Sequence, residues 1–330
     1  MSNLEPSPQP TLCGGAATAD PVRELVPGRE VVLGGTCGML VTRTLPSRDR
    51  RMVGPWCFVD LYGPQDVTGS PGMRVPPHPH TGLQTVSWLL DGEVLHRDSL
   101  SSRQLIRPGE LNLMTAGRAI AHSEETPTGR GGILHGIQLW VALPAESRHV
   151  EPSFVHHARL PAWTATGVAA TVLLGELDGA TSPARTYSPV VGAEVTLDAG
   201  ADAVLPLRAD FEYAALALSG DREADIDVDG EPLPAGPLLY LGSGRSHLPV
   251  RATAQPARFL LLGGEPFTER IVMWWNFVGR SHEEIVAFRE DWMAGRGFGT
   301  VRGYDGEPLP APPMPGVTLR PRARSRGEDE

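Results

Sequence analysis

Four side chains of metal-ligating type stand in two i, i+2 pairs, His78-Pro79-His80 and His122-Ser123-Glu124. On a strand, successive side chains alternate between faces, so residues two apart share one. On a helix, residues two apart do not face each other, and neither pair could close on a single ion. The pairs therefore constrain this part of the chain to β structure, with two strands each offering one pair to a common interior. Imidazole and carboxylate suit divalent transition metals. Four protein ligands on an octahedral ion leave two positions open, which a catalytic site needs and a closed structural site lacks.

A weaker pattern extends the reading to the whole chain. Shifted by 127 residues, His78-Pro79-His80 falls on Leu205-Pro206-Leu207, and Gly117-Arg118 falls on Gly244-Arg245. Pro108-Gly109-Glu110-Leu111 lies over Ala235-Gly236-Pro237-Leu238. We read this as an internal duplication. The ligand positions of the ungapped second copy hold Leu205, Leu207, Pro249 and Arg251, none of them a useful ligand. Two similar barrels are expected, the first with a metal site and the second without.

Composition agrees. A length of 330 residues suits two domains. Gly (38) and Pro (32) make up about a fifth of the chain, so turns are frequent and strands short. A formal net charge of −10 argues against direct nucleic-acid binding. Cys13, Cys37 and Cys57 form no Cys-x-x-Cys pair, which excludes a disulfide framework or zinc ribbon. No signal segment and no apolar run of the ~20 residues a membrane span needs is visible, so a cytoplasmic protein is expected.

Along the chain, residues 1–25 read as a disordered segment, 26–145 as the metal-binding barrel and 146–170 as a linker. Residues 171–300 read as the metal-free barrel. Leu83–Leu90 followed by Asp91-Gly92 carries a hairpin signal. Ser281 and Glu284 fit a capping box. They open a helix near 281–295 with an apolar stripe of Ile285, Phe288 and Trp292. Residues 301–330 form a Pro/Arg-rich tail, stiff over 308–315 and solvated at Arg320, Arg322, Arg324 and Arg326.

If His80 points inward, so do its same-face neighbours Gln84 and Trp88. They are then expected behind the ligands or in a substrate pocket. His96-Arg97-Asp98-Ser99 reads as a turn network. Neither His96 nor His135, His149, His156, His157, His247 or His282 is assigned to the metal. No phosphate-binding loop, Gly-x-Ser-x-Gly elbow or His-Glu-x-x-His is present.

Three stretches, His78 to Trp88, His96 to Ser99 and Met114 to His122 with Glu124 behind it, resemble the pirin family. Gly136 to Val141, Gly264-Glu265-Pro266 and the helix from Ser281 to Gly297 match further on. The resemblance covers about residues 30–300. It implies an all-β fold of two cupin-type barrels in tandem, a bicupin, with a short C-terminal helix. It also implies one metal, Fe(II), held by His78, His80, His122 and Glu124 in the first barrel only, with Mn, Ni, Cu and Zn as alternatives. Two functions follow from it. One is a dioxygenase of the quercetinase type, taking a small aromatic flavonol and O₂, with Glu124 as ligand and proton acceptor. The other is a metal- or redox-dependent regulator that binds a transcription factor or metabolic enzyme. A metal-free scaffold is the third reading. The family commonly has Arg and Glu where this chain has Thr81 and Gln84, which bears on the dioxygenase reading if Gln84 faces the metal.

Overall fold

The computed structural model describes residues 11–13, 22–32, 39–218 and 226–320. Its strands pair antiparallel, and one helix, His282–Met293, follows them. In the first half a seven-stranded sheet is closed by a four-stranded one, ordered Arg74–His80, Ile120–Glu125, Val94–Asp98, Arg103–Ile106. The second half repeats this plan. An eight-stranded sheet is closed by a four-stranded one, ordered Asp202–Pro206, His247–Ala252, Ile226–Val228, Glu231–Pro232. The fold is all-β, and the duplication seen in the sequence is a duplication of topology.

The register of the second copy differs by one residue from the ungapped alignment. Leu205 pairs with Leu248 and Pro206 with His247. Burial alternates strictly along His247–Ala252, with Leu248, Val250 and Ala252 inside and His247, Pro249 and Arg251 outside. The side chains facing the second interior are thus Leu248 and Val250, not Pro249 and Arg251. They join Leu205 in a wholly apolar core.

The hairpin expected at Asp91-Gly92 is not one. Leu83–Asp91 takes Leu111–Thr115 and Ile133–Ala142 as its partners in the large sheet. The next strand, Val94–Asp98, pairs in the small sheet. Leu83–Asp91 is buried on both faces through Leu89, and with both its edges paired the turn carries the chain across the barrel.

The two halves meet through their large sheets. Val86, Leu113 and Leu139 from the first share one apolar cluster with Leu173, Leu216 and Leu260 from the second. Trp56 Nε1 donates across the seam to the carbonyls of Val191 and Gly263, each at 3.1 Å. Glu212 accepts from Gly54 N and from the Tyr240 hydroxyl, both at 2.6 Å.

Several stretches read as unstructured are paired. In the segment 1–25, Thr11–Cys13 pairs with Ile271–Met273, and Glu24–Val26 edges the second barrel beside Leu238–Tyr240. Residues 1–10 and 14–21 lie outside the described residues. The expected linker 146–170 holds the strands Ser153–His157 and Ala162–Ala165, one on each large sheet. Exposed sheet edges take up such segments because unpaired backbone groups need partners.

The chain's end also departs from the expected division. Residues 271–279 and the helix return to the first barrel. Val278 N donates to Thr81 O at 3.1 Å, and Ala121 packs with Trp274, Phe277 and Ile285. Ser281 caps the helix as expected, accepting from Glu284 N at 3.2 Å. Glu284 does not close the box on Ser281; it accepts from Arg280 N and pairs with Arg148. The tail to residue 320 is a strap. Leu309 N donates to Pro77 O at 2.8 Å, and Trp292 Nε1 donates to Leu309 O at 2.8 Å. Ala311 and Leu319 are buried against the helix. Arg322, Arg324 and Arg326 lie outside the described residues. Truncation after Arg302 removes the apolar contacts of Leu309, Ala311, Met314 and Leu319. Allowing for partial burial and released chain entropy, we expect a loss of roughly 3 kcal/mol. Thermal unfolding followed by circular dichroism checks this; an unchanged Tm would mean the strap contributes nothing.

Candidate metal centre

The two sequence pairs face each other on neighbouring strands of the first small sheet. His122 lies opposite His78, Ile120 opposite His80, and an irregularity between His122 and Glu124 sets Glu124 opposite Val75. All four side chains are buried. One ring nitrogen from each of His78, His80 and His122 lies within 4.8 Å of the others, and so do ligand atoms of His96, His122 and Glu124. The Nε2 atoms of His80 and His122 are 3.1 Å apart. Two nitrogens bonded to one ion at about 2.1 Å and at right angles stand about 3.0 Å apart. The donor set and its spacing fit a divalent transition metal.

Hydrogen bonds decide which ring nitrogens face the cluster. His78 Nδ1 lies 2.8 Å from Pro76 O, and His80 Nδ1 lies 3.1 Å from Asn276 O. A carbonyl oxygen only accepts, so each Nδ1 carries the proton and each Nε2 keeps its lone pair. His78 Nε2 is buried with no hydrogen-bond partner among the described residues. Such an orphan costs about 1–3 kcal/mol, and a cation would relieve it. Burial pushes His80 down to about 3 and holds His78 and His122 well below the usual imidazole range. All three are neutral at physiological pH, as metal ligands must be.

Glu124 is held from the opposite sheet. Ser87 Oγ lies 3.1 Å from Glu124 Oε1 and 3.1 Å from Gln138 Oε1. Trp140 sets its ring edge-on to His80 with centroids 5.1 Å apart, and stacks on Phe58 at 4.0 Å. Tyr62 is pushed well up, first by burial and then by the Glu124 charge.

The structure brings His78, His80 and His122 together, sets Glu124 beside His122 and His96, and leaves Gln84 and Trp88 out. Gln84 Nε2 donates to Thr115 Oγ1 at 2.9 Å and to Arg185 O at 3.0 Å. Trp88 Nε1 donates to Glu194 Oε2 at 2.7 Å. Both therefore face the seam with the second barrel. The alternation from His80 does not carry through Gly82, where φ is +68° and the chain changes sheets. A Cβ there would run into Val278 O. Past this turn, Ser87 faces the cluster and Val86 and Trp88 face away.

Three neighbours escaped the sequence reading. His96 is buried, with Nδ1 3.4 Å from His122 Nδ1 and Nε2 3.2 Å from Asp98 Oδ2. Its i, i+2 spacing from Asp98 was the available signal. The turn network is real but belongs to Asp98, whose Oδ1 accepts from Leu100 N and Ser102 N. Ser87 follows only from knowing where the chain changes sheets. Asn276 acts through its carbonyl from 196 positions away, which no side-chain motif marks.

Comparison with known proteins fits this geometry. The Pirin family model matches residues 38–141, and that of the Pirin C-terminal cupin domain matches 192–299. A Pseudomonas aeruginosa protein, provisionally named a quercetin 2,3-dioxygenase, is 46% identical over 292 residues, 88% of this chain and 90% of its own. A pirin-like protein of Caulobacter vibrioides is 39% identical, covering 78% of this chain and 88% of its own. Among solved structures, quercetin 2,3-dioxygenase from Acinetobacter baumannii superposes with a TM-score of 0.84 at 38% identity. That match covers 90% of this chain and 98% of the other.

The neutral histidines generate a pH dependence. Their folded pKa values lie below the unfolded value of about 6.5, so the unfolded chain binds more protons and stability rises with pH. Stability is lost as pH falls below about 6.5, by up to about 1.4 kcal/mol per unit for each histidine. Chelator-treated protein should therefore show a falling Tm from pH 7 to pH 5, with a shallower slope in His80→Ala. Equal slopes would mean that His80 is not held neutral by the fold.

Proposed function

The chain belongs to the pirin family, and from that premise we propose that it is a metal-dependent dioxygenase acting on a flavonol of the quercetin type. His78, His80, His122 and Glu124 hold one divalent transition metal, Fe(II). The observation that carries this reading is the cluster of three buried, neutral imidazoles, with the buried carboxylate of Glu124 beside His122 and with His78 Nε2 left without a partner among the described residues. The names of the Pseudomonas and Acinetobacter relatives supply the substrate class.

The bound ion would acidify a coordinated hydroxyl and bring it beside O₂. The protein's own residues do the rest. Pro76 O and Asn276 O hold two imidazoles in the tautomer that leaves Nε2 free. Glu124 accepts the flavonol hydroxyl proton, and Ser87 orients its carboxylate. Phe58 and Trp140 are buried, stack on each other and wall the interior. Gln84 contacts the second half of the chain. The family's usual Glu at that position therefore gives no reason to expect different charge at the centre.

Protein purified without added chelator should carry about one iron per chain, and His80→Ala and Glu124→Ala should lose it. Iron-loaded protein should consume O₂ with quercetin, and Glu124→Gln should slow that by roughly 10²-fold or more. Metal content and oxygen-electrode traces check both. A full complement of metal with no O₂ uptake would overturn the enzyme reading in favour of a metal-dependent regulator.

A further inference from the structure

Asp98 and His96 lie on the strand beside the His122 strand, opposite His122 and Glu124 respectively. Both are buried. The backbone N–H groups of Leu100 and Ser102 donate to Asp98 Oδ1, each at 2.9 Å. They turn Oδ2 toward His96 Nε2, 3.2 Å away. A carboxylate only accepts, so His96 holds a proton on Nε2, and the tautomer with its one proton there presents a bare Nδ1. That Nδ1 faces His122 Nδ1 at 3.4 Å. His122 then donates from Nδ1 and keeps its lone pair on Nε2, 3.1 Å from His80 Nε2. Phe154 stacks on the His96 ring at 4.3 Å and 13°, fixing its plane. Both ring nitrogens of His96 are thus engaged, Nε2 with Asp98 and Nδ1 with His122, which suits it to support the cluster.

The three imidazoles are therefore held differently. Neutral backbone carbonyls hold His78 and His80. Among the described residues, only His122 of the three is backed by a carboxylate through a second imidazole. A partner of that kind fixes the ring and raises its basicity as a ligand.

We propose that Asp98 and His96 are positioning residues, which lock His122 in its Nδ1–H tautomer and so prepare Nε2 to hold the metal. The consequence for metal binding rests on the function proposed above; the tautomer is read in the metal-free protein. Asp98→Asn is the sharpest probe. With its carbonyl still accepting from Leu100 and Ser102, the new amide points its NH₂ at His96. The relay then reverses, and the proton of His122 moves to Nε2, against His80.

Two readouts test this. In metal-free protein, long-range ¹H–¹⁵N spectra should show His122 protonated on Nδ1, and on Nε2 in Asp98→Asn. In Co(II) titrations against a competing chelator, Asp98→Asn should bind about 10–100-fold more weakly than wild type. His96→Phe keeps a ring on Phe154 but loses the acceptor, and should weaken binding alike. His96→Gln can accept from His122 Nδ1 and should bind within a few-fold of wild type. If Asp98→Asn does not fold, the two His96 variants carry the test. An unchanged tautomer and Co(II) affinity in Asp98→Asn, or His96→Gln as weak as His96→Phe, would overturn the relay alone. Wild-type protein that binds no Co(II) would overturn the metal reading itself.

Discussion

The register between Arg74–His80 and Ile120–Glu125, with His122 opposite His78, is the constraint on which the centre depends. A slip of one residue would turn every ligand-type side chain to the other face. The neighbours hold that register from several sides. Thr81 and Gly82 are clamped by Val278, Pro77 O is bonded by Leu309, and the next strand meets Ile120–Glu125 from Leu95 to Asp98. The Arg74–His80 strand lies at the edge of its sheet and carries three prolines, which suits an edge where backbone donors have no partner strand. The C-terminal strap covers part of what that edge leaves open.

The second barrel shows what the same frame becomes without ligands. Leu205, Leu248 and Val250 fill the positions corresponding to the first centre, within one continuous apolar core. Close-packed side chains leave neither donors nor room for an ion. Its large sheet instead supplies half of the apolar seam, and the surface that packs against it includes the outer face of the Leu83–Asp91 strand. The seam thereby steadies the strand whose inner face presents Ser87 to Glu124.

The all-β class, the duplication and the His/Glu pairs were legible because they rest on local periodicity. The i, i+2 spacing of His78 and His80, and of His122 and Glu124, requires only that each segment be a strand. The placement of Gln84 and Trp88 was not legible, because it depends on what happens at Gly82. A left-handed glycine and a change of sheet reset the alternation, and the phase could not be counted through them. Pro249 and Arg251 were misplaced for the same reason, a one-residue difference in register that alternation converts into opposite faces.

The sequence by itself determined which side chains are able to bind a metal and that they lie on strands, because residue chemistry and a two-residue period are properties of short segments. Tertiary structure alone decided that these strands are neighbours, that Asn276 O and the Asp98–His96 pair orient the imidazoles, and that residues 271–320 complete the first barrel. Those contacts join positions as far apart as Pro77 and Leu309. They are selected by the need to bury both faces of the large sheets and to satisfy the polar groups enclosed with them, and no local pattern encodes that need.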